Sequence, residues 1–155
     1  MRSVTYSMSV SLDGYIVGPD GRFDWSAPTE EVFRLAIEEV RGVDAIWKAM
    51  PKVVFSTRLS AVEGNARLAS GSPAEEIERL RAEPGDGDIA IGGATLAAEV
   101  AAAGLIDEYL VRVHPVLVGG GTPFFARRER RVDLELVENR TLSGKVAFLR
   151  YRVAR

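Results

Sequence analysis

The stretch Asp88-Ile89-Ala90-Ile91-Gly92-Gly93-Ala94-Thr95-Leu96-Ala97-Ala98-Glu99 decides how this chain is read. Its apolar start runs into two glycines and then into an alanine-rich segment with Leu96 and Val100 four residues apart. That pattern predicts strand, tight turn, helix. A turn of this kind leaves backbone N–H groups without intrahelical partners at the mouth of the helix. Glycine has no Cβ, so a ligand can approach the backbone at Gly92 and Gly93, and the helix dipole favours negative charge there. Thr95 adds a hydroxyl. Taken alone, the two glycines fit a phosphate site and a plain strand-to-helix turn of an α/β domain equally well.

Working outward, composition narrows the classes of function. A chain of 155 residues, 46% hydrophobic and 27% charged, is sized for one domain over 1–155 with a core of its own. The net charge is −2 and the Lys and Arg residues are spread along the chain, so neither a nucleic-acid face nor an anionic membrane surface is expected as a partner. The chain has no cysteine and one histidine, which excludes a disulfide framework or thiolate site and argues against a zinc centre; no metal is expected. Met1 to Leu12 alternates instead of forming an apolar run, and no stretch has membrane-spanning length, so a soluble cytoplasmic protein is expected.

Upstream of the glycine turn, Val4, Tyr6, Met8 and Val10 alternate with Thr5, Ser7, Ser9 and Ser11, the period of a strand with one face in the core. Tyr15-Ile16-Val17-Gly18 and Pro19-Asp20-Gly21 predict a loop folded back, followed by Asp24 and Trp25; the tryptophan suits a core plug or a ligand contact. Pro28 and Thr29 open a helix with a Val32, Phe33, Ala36, Ile37, Val40 stripe, ending at Arg41-Gly42. Pro51 to Phe55 predicts a short buried strand with Ser56-Thr57-Arg58 at its carboxyl end, where open parallel sheets bind ligands. Ser72-Pro73-Ala74-Glu75 is a capping box that opens a helix with Ile77 and Leu80 facing inward.

Downstream, the helix after the glycines ends over Ala101 to Gly104, and Ile106 to His114 alternates as a strand leading through Pro115 to Gly119-Gly120-Gly121. His114 can be a proton donor or a satisfied structural residue. Val132 to Glu138 and Ala147 to Val153, joined through Gly144, predict an antiparallel hairpin. Strand and helix alternate across the middle as in right-handed βαβ units.

Five stretches occur together and in order: Ser11 to Ile16, Asp24-Trp25, Val53 to Ser56, Ile91 to Leu96, and His114 to Phe125. In this the chain resembles the dihydrofolate-reductase-like superfamily, most closely the reductase domain of the bifunctional riboflavin-biosynthesis protein and its stand-alone relatives. The resemblance implies an α/β fold with a mostly parallel central sheet flanked by helices and a C-terminal antiparallel hairpin. It also implies an NADPH-dependent reductase acting on a small pterin-like or aminopyrimidine-like heterocycle, commonly as a homodimer. By the same resemblance Gly92, Gly93, Ala94, Thr95 and Leu96 hold the cofactor pyrophosphate, and Ser56 lies near the adenosine phosphate. Val10, Ile16 and Trp25 border the nicotinamide, and Ser11 and Asp13 contact the substrate. The resemblance names no catalytic acid, since the cofactor carries the reactive chemistry.

The chain departs from the family twice. A glutamate normally precedes the glycine pair and meets the substrate; here Ile91 offers neither charge nor hydrogen bond. The family also has a strand, a turn and a helix where this chain has only Val43 to Met50, too few residues for a helical crossover of about a dozen. Val43-Asp44 matches a strand start and Ala45 to Met50 a helix end. The expectation is a break in chain spacing near Asp44 and Ala45, well beyond the ~3.8 Å of a trans peptide. Both departures also suit a nucleotide-binding module that kept the fold without the chemistry, and the Ala-rich and C-terminal apolar segments suit a third reading, a mainly dimeric scaffold.

Overall fold

The computed structural model describes residues 1–27, 50–127 and 130–155. The helix expected from Pro28 to Gly42 and the expected break at Asp44–Ala45 lie outside the described residues. Along the described chain run β1 (Val4–Ser11), β2 (Tyr15–Val17), a 3-10 turn (Asp24–Ser26), β3 (Lys52–Val54), β4 (Ala66–Leu68) and α1 (Pro73–Ala82). They are followed by β5 (Ile89–Ile91), α2 (Ala94–Ala102), β6 (Glu108–His114), β7 (Thr122–Pro123), β8 (Leu134–Leu142) and β9 (Val146–Val153). Two compact units divide the chain, Met1–Ala27 with Gly85–Arg155, and Pro28–Pro84. Among the described residues no helix is long and apolar enough to cross a membrane.

The first unit is built on a five-stranded sheet in the order β5-β1-β6-β9-β8. β1 runs parallel to β5 on one side and to β6 on the other; β9 is antiparallel to β6, and β8 to β9. This is the parallel sheet with a terminal hairpin that the sequence predicts. Because β5 and β6 flank β1, the chain must cross over β1 between them, and α2 makes the crossing. Its far end is closed by glycine: Gly104, at φ 70°, donates to the Ala101 carbonyl, and Leu105 N donates to Val100 O. These are the two bonds of a Schellman cap.

The alternation in β1 sorts chemistry by face, but not exposure. Register sets Thr5, Ser7, Ser9 and Ser11 beside Glu108, Leu110, Arg112 and His114, so one face is polar but for Leu110, and Val4, Tyr6, Met8 and Val10 point to the other. The sequence predicts a strand with one face in the core; in fact Thr5, Ser11, Glu108, Arg112 and His114 are buried as well. Central strands have neighbours on both edges, and these two are covered on both faces. Buried Glu108 is satisfied by Arg150 at 2.6 Å and Arg152 at 3.3 Å, which the hairpin brings alongside. On the apolar face Tyr6 stacks on Phe124 with ring centres 4.3 Å apart.

Other elements differ from expectation in instructive ways. Tyr15–Val17 is a strand, not a loop, because it finds a partner in Thr122–Pro123. The hairpin strand expected over Val132 to Glu138 is shifted and extended to Leu142, since an outer strand needs no apolar face. Its turn places Ser143 at φ 51° and Gly144 at φ 65°, the two positive values that a tight hairpin requires.

In the second unit β3 and β4 pair in parallel, and β3 is half-buried rather than buried. The capping box of α1 is complete: Glu75 N donates to Ser72 Oγ, and Ser72 N donates to Glu75 Oε2 at 2.7 Å. The surprise is Glu76, 1% exposed and beside the expected inward residue Ile77. Its carboxylate accepts from Arg67 at 2.7 Å, Ser70 N at 2.8 Å and Arg79 at 3.1 Å. The Arg67 hydrogen bond pulls its pKa down from 4.5 to about 2. A lowered carboxylate pKa means stability that is present above the unfolded value of 4.5 and lost as pH falls towards 2. Glu76→Gln is expected to cost about 2 kcal/mol at neutral pH. Thermal melts should show the gap between variant and wild type closing as pH falls from 4.5 towards 2; a gap independent of pH would contradict this assignment.

Candidate cofactor and substrate site

The glycine turn has the geometry that its sequence requires. β5 ends at buried Ile91, Gly92 and Gly93 are exposed, and Gly93 sits at the N-cap of α2 with φ 94° and ψ 141°, a backbone conformation that L side chains rarely adopt. Whereas Ser72 and Glu75 cap α1, no side chain among the described residues caps α2; the first intrahelical bond is Ala97 N to Gly93 O at 3.1 Å. A Cβ built on Gly92 or Gly93 would meet nothing within 4 Å among the described residues, which leave open space in front of the helix mouth. Uncapped amides, a favourable dipole and open space fit a phosphate group.

At the carboxyl ends of β1 and β6, two loops are bound to each other. Ser11 Oγ donates to Asp13 Oδ1 at 2.6 Å and accepts from Tyr15 N at 3.0 Å. Asp13 also accepts from Val118 N at 3.2 Å and Gly119 N at 2.8 Å. The Ser11 hydroxyl and these two amides hold the Asp13 carboxyl below its usual range. Leu12 N to Val116 O and Phe124 N to Gly14 O, both 2.9 Å, complete the seam. The three-glycine run serves close passage here: a Cβ on Gly121, at φ 114°, would overlap the Val17 carbonyl oxygen.

Of the residues expected at the nicotinamide, Val10 and Ile16 are buried and Trp25 is half-buried. Val10 and Ser11 are successive strand residues and point to opposite faces of the sheet. Trp25 lies on the side of Ser11, edge-on to His114 with ring centres 5.7 Å apart, and it borders a recess of about 320 Å³ shared with Asp20, Arg22 and Asp24. His114 pairs in register with Ser11 and is 5% exposed. Burial, and then the Arg112 cation, push its pKa down, so the ring is neutral at pH 7. Neither His114 Nε2 nor Trp25 Nε1 has a hydrogen-bond partner among the described residues, although both atoms are buried. The sequence offered a satisfied structural histidine as one reading, and no local pattern distinguishes the two cases. A second hollow, about 270 Å³, lies on the apolar face between α2 and the Tyr6, Tyr109 and Phe124 rings.

Ser56 and Arg58 belong to the other unit, just past β3. Both are exposed, and Ser56 Oγ accepts from Arg58 N and Leu59 N at 3.1 Å each, which shapes the turn.

A model of the RibD C-terminal domain family matches residues 34–148. The chain belongs to that family. The RibD C-terminal match spans parts of both units. Among curated proteins the chain is 27% identical to the uncharacterized protein YyaP of Bacillus subtilis (strain 168), covering 97% of this chain and 94% of that one. That alignment runs over 177 positions, so YyaP holds residues that this chain of 155 lacks. Among solved structures the chain resembles a putative riboflavin biosynthesis protein from Shewanella sp. PV-4, with a TM-score of 0.82 and 24% identity over 99% of this chain and 100% of that one. It also resembles dihydrofolate reductase from Enterococcus faecalis complexed with NADP(H), with a TM-score of 0.65 and 13% identity over 99% and 97%. The RibD-like and dihydrofolate-reductase-like fold inferred from the five motifs is therefore the fold of this chain.

If the loop seam is what shapes this end of the sheet, Gly121→Ala is expected to destabilise by about 3 kcal/mol, from steric overlap and an unfavourable φ together. Urea unfolding measures it. A change under about 0.5 kcal/mol, the usual range for surface positions, would show that the two loops pass with room to spare.

Proposed function

We propose that this protein is a cytoplasmic NADPH-dependent reductase that passes a hydride to a small pterin-like or aminopyrimidine-like heterocycle, with 1–155 acting as one domain. The observation that carries the proposal is the uncapped mouth of α2 behind Gly92 and Gly93, with open space before it. Register gives further support. Ile91 is level with Tyr6 on β1, and Ser11 is five residues further on, about 16 Å at the usual strand rise. An elongated dinucleotide spans such an offset, whereas a small anion does not.

In this reading Gly92, Gly93, Ala94, Thr95 and Leu96 hold the pyrophosphate. Val10, Ile16 and Trp25 border the nicotinamide. Ser11 and Asp13 contact the substrate through the loop that they brace. When bound, the cofactor supplies the hydride; the chain supplies position and a dry wall. Ile91 is buried and apolar, so a substrate that depends on a carboxylate before the glycines is disfavoured.

Titrating NADPH while following tryptophan fluorescence should give saturable quenching, with tighter binding than NADH. A screen of dihydropterins and aminopyrimidines should reveal NADPH oxidation. Gly93→Val is expected to weaken NADPH binding at least about tenfold, roughly the worth of one charge-assisted hydrogen bond, with the fold retained. Wild-type affinity in that variant would reduce the turn to a structural element, and no quenching at millimolar cofactor would favour the module without chemistry.

The partner we propose is a second copy of the chain. Phe125, Leu134, Leu136 and Val137 are exposed on or near the outer strand β8, where unpaired backbone also invites association. Leu136→Arg should shift sedimentation from dimer to monomer; a wild-type monomer would end this part of the proposal.

A further inference from the structure

The hollow on the apolar face of the sheet takes no part in the proposed chemistry. Its room comes from the sequence of α2: Ala101 follows Ala98 by three residues and Ala97 by four, so three alanines share a face where a packed helix carries Leu or Ile. Across from them Tyr6 stacks on Phe124, and Phe125 stands edge-on to Phe124 at 4.6 Å between ring centres. About 270 Å³ is left between alanines and rings. Protein interiors leave few such spaces, and Phe125 at the rim is 52% exposed. A hollow just under the ~300 Å³ at which drug-sized sites begin has room for one or two fused rings.

The wall decides the charge of the occupant. Among the described residues Arg130 is the one charged side chain lining the hollow; it is exposed and makes no ion pair with them, whereas its neighbour Arg131 is held by Asp133 at 2.7 Å. Tyr6 stays uncharged, since burial and then Tyr109 push its pKa up to about 12, and its hydroxyl has no partner among the described residues. A guanidinium and a protonated phenol both donate, so an acceptor suits this wall and a cation does not. Phe125 and Leu134 on the rim also belong to the surface assigned above to a second copy. In a two-fold pair, however, the same surface faces itself, so a copy brings a second Arg130 and no counter-charge.

We propose that this hollow is a second ligand site, made for a small flat aromatic acid whose rings lie between the alanines of α2 and the aromatic wall and whose carboxylate meets Arg130. The guanidinium fork matches a carboxylate, and ring-to-ring contacts favour a flat ring over a flexible chain. Tyr6 and Ser11 point to opposite faces of β1, so the site is separate from the one at Ser11 and does not depend on the reductase reading.

The test titrates 2-naphthoate, and 2-naphthylmethanol as its uncharged counterpart, into the isotope-labelled chain while backbone amide spectra are recorded. Wild type is expected to bind the acid at one site with a Kd at or below about 1 mM, and at least about fivefold more tightly than the alcohol, the upper end of what an exposed ion pair supplies. The largest shifts should fall at Ala97, Ala98, Ala101 and Phe125, and saturating NADPH should leave the affinity unchanged. Ala101→Trp, which fills the hollow, should abolish binding; if that variant fails to fold, the milder Ala98→Leu should weaken it at least about threefold. Arg130→Gln should keep the fold and bring the preference for the acid below about twofold. No binding by wild type, which is the result if a second copy fills the hollow, would overturn the proposal. So would equal affinity for acid and alcohol, a preserved preference in Arg130→Gln, or undiminished binding in a folded filling variant. Displacement of the acid by NADPH would place it at the mouth of α2 and overturn the proposal as well.

Discussion

Strand β1 has a parallel neighbour on each side, and the rest of the first unit follows from that constraint. Parallel neighbours cannot be joined by tight hairpins; the chain must leave, cross and return. The return from β5 to β6 crosses β1, which is why α2 exists and why its mouth opens at the carboxyl end of β5. The same polarity brings the ends of β1 and β6 together, so that Ser11 and His114 are side by side although about a hundred residues separate them in sequence. Ligands of open parallel sheets bind at such ends for this reason.

The price of the arrangement is a polar sheet face inside the protein. Thr5, Glu108 and Arg112 lie buried where an apolar face would be simpler. Glu108 is supplied with two arginines by β9, and removing one partner of such a cluster costs more than the intact cluster contributes. On that face Glu108, Arg112 and Ser7 have partners, whereas His114 Nε2 and Trp25 Nε1 at its end have none among the described residues.

What was legible in the sequence is what is encoded locally. The glycine pair between an apolar run and an alanine-rich segment identifies a strand-turn-helix, and Ser72 with Glu75 identifies a capped helix start, because each signal sits within a few residues of the structure it causes. Tyr15–Val17 and Thr122–Pro123 were not legible as strands: each is short, and each is a strand only because the other is there. Ala66–Leu68 lacks a β-branched run and pairs through its neighbour β3. Glu76 is a surface residue by composition and a buried one by virtue of Arg67 and Arg79. At the site, the glycine turn was readable for the same local reason. The pairing of His114 with Trp25, and the commitment of Ser11 and Asp13 to bracing two loops, depend on contacts across roughly ninety residues or more.

The central claim is that the mouth of α2 holds the phosphates of a dinucleotide. Backbone amide spectra of isotope-labelled protein, recorded during an NADPH titration, address it residue by residue. The account expects the largest saturable shifts at the amides of Gly93, Ala94, Thr95 and Leu96, with smaller ones near Ser11 and Trp25, and no comparable change with inorganic phosphate at the same concentration. Shifts concentrated elsewhere in the chain, with the α2 amides unmoved at saturation, would contradict it.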